Sequence, residues 1–166
     1  KIRFALNFQQ LNKCIRDDKY PTPNAETITA CVQGTKIFST LDLTDAYWSI
    51  ELAKESRPYT AFQSPDGLFQ YKRLPQGLKT ASAVFCRHMD QILGSLKWTN
   101  ILVYVDDLLI FTETMDQHFN VLDKLFTQLR RYKMTLSPTK CYLVEESVDF
   151  LGHTVTTEGV TMNAEK

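Results

Sequence analysis

The most apolar run of the chain, ILVYVDDLLIF at 101–111, sets nine apolar or aromatic residues around two adjacent carboxylates, Asp106 and Asp107. Its halves, ILVYV and LLIF, predict two strands joined by a two-residue turn made of the carboxylates themselves. Such turns favour Asn-Gly or Asp-Gly, because their backbone takes positive φ, so a pair without glycine implies a reason other than turn preference. Upstream, KIFSTLDL at 36–43 is a short β-prone run ending in a carboxylate and predicts a further strand. From Thr80 to Leu93 the apolar positions Ala81, Val84, Phe85, Met89, Ile92 and Leu93 follow helical spacing, with Gly94 placed to end the helix. TMDQHFNVLDKLFTQLRRYK at 114–133 predicts an amphipathic helix with Thr114 and Gln117 in capping-box spacing. Its apolar stripe is Phe119, Leu122, Leu125, Phe126 and Leu129. YTAF and LFQY around SPDG predict a hairpin, RLPQGL breaks it, and SVDFLGHTV at 147–155 closes the pattern as strand and turn.

The order strand, helix, strand, strand, helix, strand is that of an α+β, ferredoxin-like split β-α-β fold, with two helices over one face of the sheet and an insertion at 44–78. A right-handed crossover makes the strands at 37–43 and 101–105 parallel, so their C-terminal ends share one sheet edge. Asp42 then meets Asp106 and Asp107 there. Like charges packed so closely require partial protonation or a neutralising cation.

A chain of 166 residues, 43% hydrophobic, is long enough for one domain with a real core. Its apolar runs are too short to span a membrane, which takes about 20 residues. Cys14, Cys31, Cys86 and Cys141 lack ligand spacing and read as reduced, buried thiols of an intracellular protein. The first residue is Lys1 rather than methionine, which suggests a piece of a longer polypeptide. Net charge is zero, yet its distribution is uneven. Basic against acidic residues number five to one over 67–100, none to four over 101–118, and five to one over 119–140. An acidic centre between basic flanks suits cations beside a polyanion. A second acidic pair, Asp17-Asp18 in RDDKYPTP, reads as a solvated turn. Hard carboxylate oxygens at a sheet edge suit Mg²⁺ or Mn²⁺, and two such ions about 3.5–4 Å apart can clamp both oxygens of a phosphoryl displacement.

The stretches LNK (11–13), LDLTDAY (41–47), YTAF (59–62), LPQG (74–77), YVDD (104–107) and FLGH (150–153) together resemble the successive motifs of a reverse transcriptase. Their order is similar to that in the polymerase domains of gypsy-type long-terminal-repeat retrotransposons and of retroviruses. TDAYWS and LPQGL lean toward the retroviral form, where gypsy-type elements read closer to SGYHQ and PFGL. The resemblance implies a palm with part of the fingers, 1–36 and 44–78 lying on the fingers side and 37–43 and 79–166 in the palm. It implies an RNA-directed DNA polymerase with two Mg²⁺ ions, Mn²⁺ being a possible substitute, held by Asp42, Asp106, Asp107 and the Leu43 carbonyl. It makes Arg3, Leu43, Ala46, Tyr47, Gln76 and Gly77 the nucleotide-binding residues, Tyr47 being the ring that leaves no room for a 2′-hydroxyl. Tyr104, Phe150, Leu151 and Gly152 correspond to primer-gripping positions, and Lys140 falls near a lysine that can protonate departing pyrophosphate.

The partners so implied are an RNA or DNA template with its primer, deoxynucleoside triphosphates, and the thumb and ribonuclease H parts of a polyprotein, without a membrane. The setting implied is intracellular, in a cytoplasmic virus-like particle, and the fragment alone is expected to be inactive. Two other readings remain open on sequence: a decayed palm module that binds metal or nucleic acid without catalysis, and another palm polymerase such as an RNA-dependent RNA polymerase.

Overall fold

A computed structural model describes residues 5–21 and 23–163. The elements run α1 (Gln9–Cys14), α2 (Ala25–Val32), β1 (Ile37–Thr44), β2 (Phe62–Ser64), β3 (Gly67–Phe69) and α3 (Ala81–Leu93). They continue with β4 (Ile101–Tyr104), β5 (Asp107–Thr112), α4 (Met115–Arg131), β6 (Thr135–Leu136), β7 (Tyr142–Glu145), β8 (Ser147–Phe150), β9 (His153–Thr156) and β10 (Gly159–Met162). The central sheet has the order β4-β5-β1-β6, with β7 also pairing β1. β1 and β4 both run antiparallel to β5, which lies between them, so they are parallel to each other as the crossover argument requires.

Period-two alternation sends the side chains of these strands to two faces, and both are buried. Leu41, Leu43, Ile101, Val103, Leu108 and Ile110 pack with α3 and α4 through Phe85, Met89, Leu122, Leu125 and Leu129. Phe38, Leu102, Leu109 and Phe111 pack the other way, against Ile28 and Val32 of α2 and against Val148, Phe150 and Val155. Burial on both faces explains why 101–111 reads as an almost unbroken apolar run instead of an alternation. Each fully buried Leu or Phe contributes about 1.5–3 kcal/mol, so the two cores together fix the register of β1 on β5.

The structure departs from the sequence reading at several points. Besides the face covered by two helices, the other face of the sheet is covered as well. SVDFLGHTV does not close the central sheet; it forms β8 and β9 of a separate three-stranded sheet with β10. The strands that follow α4 in the central sheet are the short β6 and β7, too brief and too interrupted by Pro138 to register as a pattern. The hairpin at 59–71 starts later than expected, because Lys54–Thr60 forms a 3₁₀ helix and only Phe62–Ser64 pairs with Gly67–Phe69. On α4, Leu122, Leu125 and Leu129 are buried as expected, but Phe119 is 56% exposed and His118 and Val121 are buried in addition, so the inward stripe is shifted at its edge. The thiols are unpaired as expected, but only Cys86 is buried and Cys14 is exposed. Asp17-Asp18 is more than a solvated turn: Asp17 meets Lys79 at 2.5 Å, and Asp18 accepts from Arg87 at 2.5 and 2.7 Å. Tyr20 adds a hydrogen bond to Asp90, which also takes the buried Lys97 ammonium. The N-terminal segment is thereby tied to α3.

His118 joins four elements through a closed hydrogen-bond chain. Its Nε2 lies 2.7 Å from Ser39 Oγ and its Nδ1 2.8 Å from Thr112 Oγ1. Ser39 Oγ accepts from Val144 N–H, and Thr112 Oγ1 donates to the Thr114 carbonyl. Counting donors assigns the Nδ1–H tautomer, with the Ser39 hydroxyl donating to Nε2. Burial lowers the imidazole pKa below its usual 6.5, so the folded state holds the neutral ring. The unfolded chain then binds the proton more readily, and stability present above pH 6.5 is lost as pH falls below it. We expect Ser39→Ala or His118→Ala to lower unfolding free energy by about 2–4 kcal/mol in denaturant titrations. His118→Ala should also flatten the pH dependence of stability between pH about 5.5 and 7.

Candidate active site

The Asp42–Asp107 pairing is the last rung of the β1–β5 ladder, so the two residues stand directly opposite each other at the end of the sheet. By strand parity both fall on the face that carries Phe38, Leu109 and Phe111. Asp106 sits in the adjoining turn, where its carbonyl accepts from Leu43 N–H at 2.9 Å. Asp42, distant in sequence, is thus brought beside Asp106 and Asp107, and the charges of Asp42 and Asp106 both act on Asp107. The turn is one residue earlier than the sequence suggested: Tyr104 pairs with Asp107, leaving Val105 and Asp106 as the loop. Val105 takes φ 53°, a left-handed conformation that strains a β-branched residue by about 1–3 kcal/mol.

Partial burial pushes the Asp107 carboxyl up from the usual carboxylate range, and the charges of Asp106 and Asp42 push it further, while Lys140 opposes them. Lys140 Nζ donates to Asp42 Oδ2 at 2.8 Å, and this bond raises the lysine pKa. Lys140 is brought there by the short 3₁₀ turn Pro138–Lys140, itself tied to β1 by Ser137 N–H donating to the Asp42 carbonyl at 2.9 Å. As they stand, the described residues include no group of three His, Cys, Asp or Glu side chains arranged around one ion. By donor type the site nevertheless fits a hard divalent cation: it offers hard oxygens on three acidic residues, with Asp106 and Asp42 both repelling the Asp107 charge, and Asp42 and Asp106 open to one cleft while Asp107 borders its neighbours.

That cleft, of about 510 Å³, is lined by Asp42, Leu43, Asp106, Lys140, Tyr47, Tyr71 and Gln76 among others. After β1 the chain turns at Asp45, whose φ of 52° reverses it into the 3₁₀ turn Ala46–Ser49. Ala46 is buried beneath, and Tyr47 is half-buried beside the cleft. The Tyr47 ring lies 5.5 Å from the Phe85 ring, and its hydroxyl is 3.0 Å from Ser82 Oγ. Gln76 is exposed, and Gly77 has φ 93° with Phe8 close enough to meet any added Cβ at 3.6 Å. Asn12, within the LNK stretch, clamps this turn: its side chain donates to the Gly77 carbonyl and accepts from Lys79 N–H, both at 2.8 Å. Arg73 was not singled out by the sequence; it donates to the Trp48 and Ser49 carbonyls at 2.9 and 3.1 Å, bracing the Tyr47 turn.

The remaining sequence candidates scatter more. Tyr104 is partly exposed at the end of β4. Leu151 and Gly152, at φ 55° and 75°, form the turn between β8 and β9, and they share a cleft of about 620 Å³ with Tyr104, Asp107 and His153. Phe150 is 3% exposed and anchors this turn in the second core, so its side chain is turned away from any ligand. Arg3 lies outside the described residues.

Comparison with known proteins agrees with this frame. A family model for reverse transcriptase (RNA-dependent DNA polymerase) matches residues 1–155. The chain is 36% identical over 163 residues to the retrovirus-related Pol polyprotein from transposon 297 of Drosophila melanogaster, covering 98% of this chain and 15% of that one. It is 36% identical over 152 residues to the genome polyprotein of Petunia vein clearing virus, covering 92% of this chain and 7% of the relative. It therefore spans only a small part of these polyproteins. Among solved structures, the foamy viral protease-reverse transcriptase in complex with double-stranded DNA superposes with a TM-score of 0.86 at 29% identity, over 98% of this chain and 28% of that chain. With matching motifs, fold and profile over nearly its whole length, the chain belongs to the reverse transcriptase family.

Proposed function

We propose that this chain is the palm and part of the fingers of an RNA-directed DNA polymerase, with 1–36 and 44–78 on the fingers side and 37–43 and 79–166 in the palm. It would transfer deoxynucleotides to a primer 3′-hydroxyl. The observation that carries the reading is the rung that sets Asp42 opposite Asp107, with Asp106 in the adjoining turn: Asp42 and Asp106 line one cleft with Tyr47 and Gln76, and Asp107 lines a second with Tyr104, Leu151 and Gly152. Asp42, Asp106 and Asp107, with the Leu43 carbonyl, would hold Mg²⁺, or Mn²⁺ in its place. Two bound ions supply charge stabilisation at the attacking and leaving oxygens of phosphoryl transfer. The chain's own residues do the rest by position. Tyr47 closes the cleft on the sugar side, Gln76 and Gly77 offer backbone at close range, and Tyr104, Leu151 and Gly152 border the channel on the primer side.

Template, primer and deoxynucleoside triphosphate are the partners of this reading, and the thumb and ribonuclease H parts would come from the rest of a polyprotein. The foamy viral relative, solved with double-stranded DNA, supports the duplex as a ligand. An intracellular particle is the setting of this reading, since the relatives are retrotransposon and viral polyproteins; among the described residues no helix is long and apolar enough to cross a membrane.

Primer extension by the full-length parent polypeptide tests the reading. Asp106→Asn should reduce extension by about a hundredfold or more, since it removes charge where the transition state needs it. Equal extension by the variant would refute the catalytic assignment.

Mutual repulsion gives a second expectation. Asp107 titrates above its unfolded value, so its ionisation opposes folding: the penalty is absent at low pH and grows as pH rises through the folded value. Asp107→Asn should therefore raise the melting temperature of the metal-free protein at neutral pH by about 2–4 °C. Adding Mg²⁺ should narrow that gap by stabilising the parent protein more than the variant, and acidification should narrow it too.

A further inference from the structure

Tyr47 sits on weak local support. Its segment, Ala46–Ser49, is a single 3₁₀ turn with no side-chain cap, entered through a left-handed Asp45. The firm neighbour is α3, whose Phe85, Cys86 and Met89 are buried in the first core. Two α3 side chains three residues apart, and so on one helix face, reach Tyr47: Phe85 packs tilted against the ring at 59°, and Ser82 meets the hydroxyl at 3.0 Å. Among the described residues Ser82 is the one hydrogen-bond partner of that hydroxyl. Ser82 lies in the first turn of α3, where no helical carbonyl four residues back competes for its hydroxyl. It is exposed, so its place there is not explained by core packing.

We propose that Ser82 is a specificity-setting positioning residue, holding the Tyr47 phenol at its far end so that the ring stands as a fixed wall against the nucleotide sugar. Packing on Phe85 alone restrains the ring at its side and leaves a swing about the Cα–Cβ bond. A hydrogen bond at the tip removes that swing, and a wall that cannot yield discriminates against one extra hydroxyl better than one that can. The inference rests on the steric reading of Tyr47 and adds to it which residue makes the ring rigid.

The test is single-nucleotide primer extension by the full-length polypeptide, measuring kcat/KM for a ribonucleotide against the matching deoxynucleotide. Ser82→Ala should raise the ribonucleotide-to-deoxynucleotide ratio about 3- to 10-fold, the worth of one neutral hydrogen bond. Tyr47→Phe, which breaks the same bond from the other end, should do likewise, and the double variant should be no more permissive than either single one. Ser82→Thr keeps a hydroxyl and should hold the ratio near that of the parent. Tyr47→Ala sets the upper bound. If Tyr47→Ala relaxes selection while Ser82→Ala leaves the ratio unchanged, or lowers both substrates equally, the positioning role of Ser82 is overturned and the wall itself stands. Multiplicative effects in the double variant overturn it too. If Tyr47→Ala leaves the ratio unchanged, the steric reading beneath it fails instead.

Discussion

The β1–β5 ladder is the constraint on which the rest of the structure depends. Its register is fixed by two cores at once, since alternate residues of β1 and β5 are buried on opposite faces of the sheet. A slip of one residue along β1 would turn Phe38 to the face that Leu41 occupies and would take Asp42 from its place opposite Asp107. Apolar packing thus does what the carboxylates cannot do for themselves: it holds like charges side by side against their repulsion.

The strain that follows is local and concentrated at the cleft. Val105 adopts a backbone conformation that disfavours its side chain, and the Asp107 carboxyl is pushed upward by shielding and by its two neighbours. Lys140 partly relieves the charge through Asp42, from a loop that β1 itself holds in place by the Ser137–Asp42 backbone bond. The cost that remains at this edge of a well-packed sheet is what the proposed cation would offset.

The walls of the cleft are braced from elements far apart in the chain. Asn12 clamps the Gly77 turn, Arg73 braces the turn that bears Tyr47, and Ser82 and Phe85 hold the Tyr47 side chain. Asp17 and Asp18 tie the N-terminal segment to Lys79 and Arg87, keeping Asn12 near its target. Each exposed ion pair is worth little alone, about 0–1 kcal/mol, but together they set where the segment lies.

The sequence by itself determined the elements whose periodicity is strong: β1, the β4–β5 hairpin, α3, α4 with its Thr114 cap, and the convergence of Asp42, Asp106 and Asp107. Local pattern and the handedness of a crossover suffice for these, because each strand and helix must bury its own apolar residues. The tertiary structure decided what no local pattern encodes. It moved the β4–β5 turn back onto Val105, because Asp107 is drawn into the ladder opposite Asp42. It turned His118 inward and Phe119 outward, because Ser39 and Thr112 offer the imidazole two partners that α4 alone does not reveal. It chose β6 and β7 over β8 as partners of β1, and it brought Ser82 to Tyr47 across 35 positions. Those outcomes depend on which surfaces meet after folding, and a linear pattern records only what each segment needs to hide.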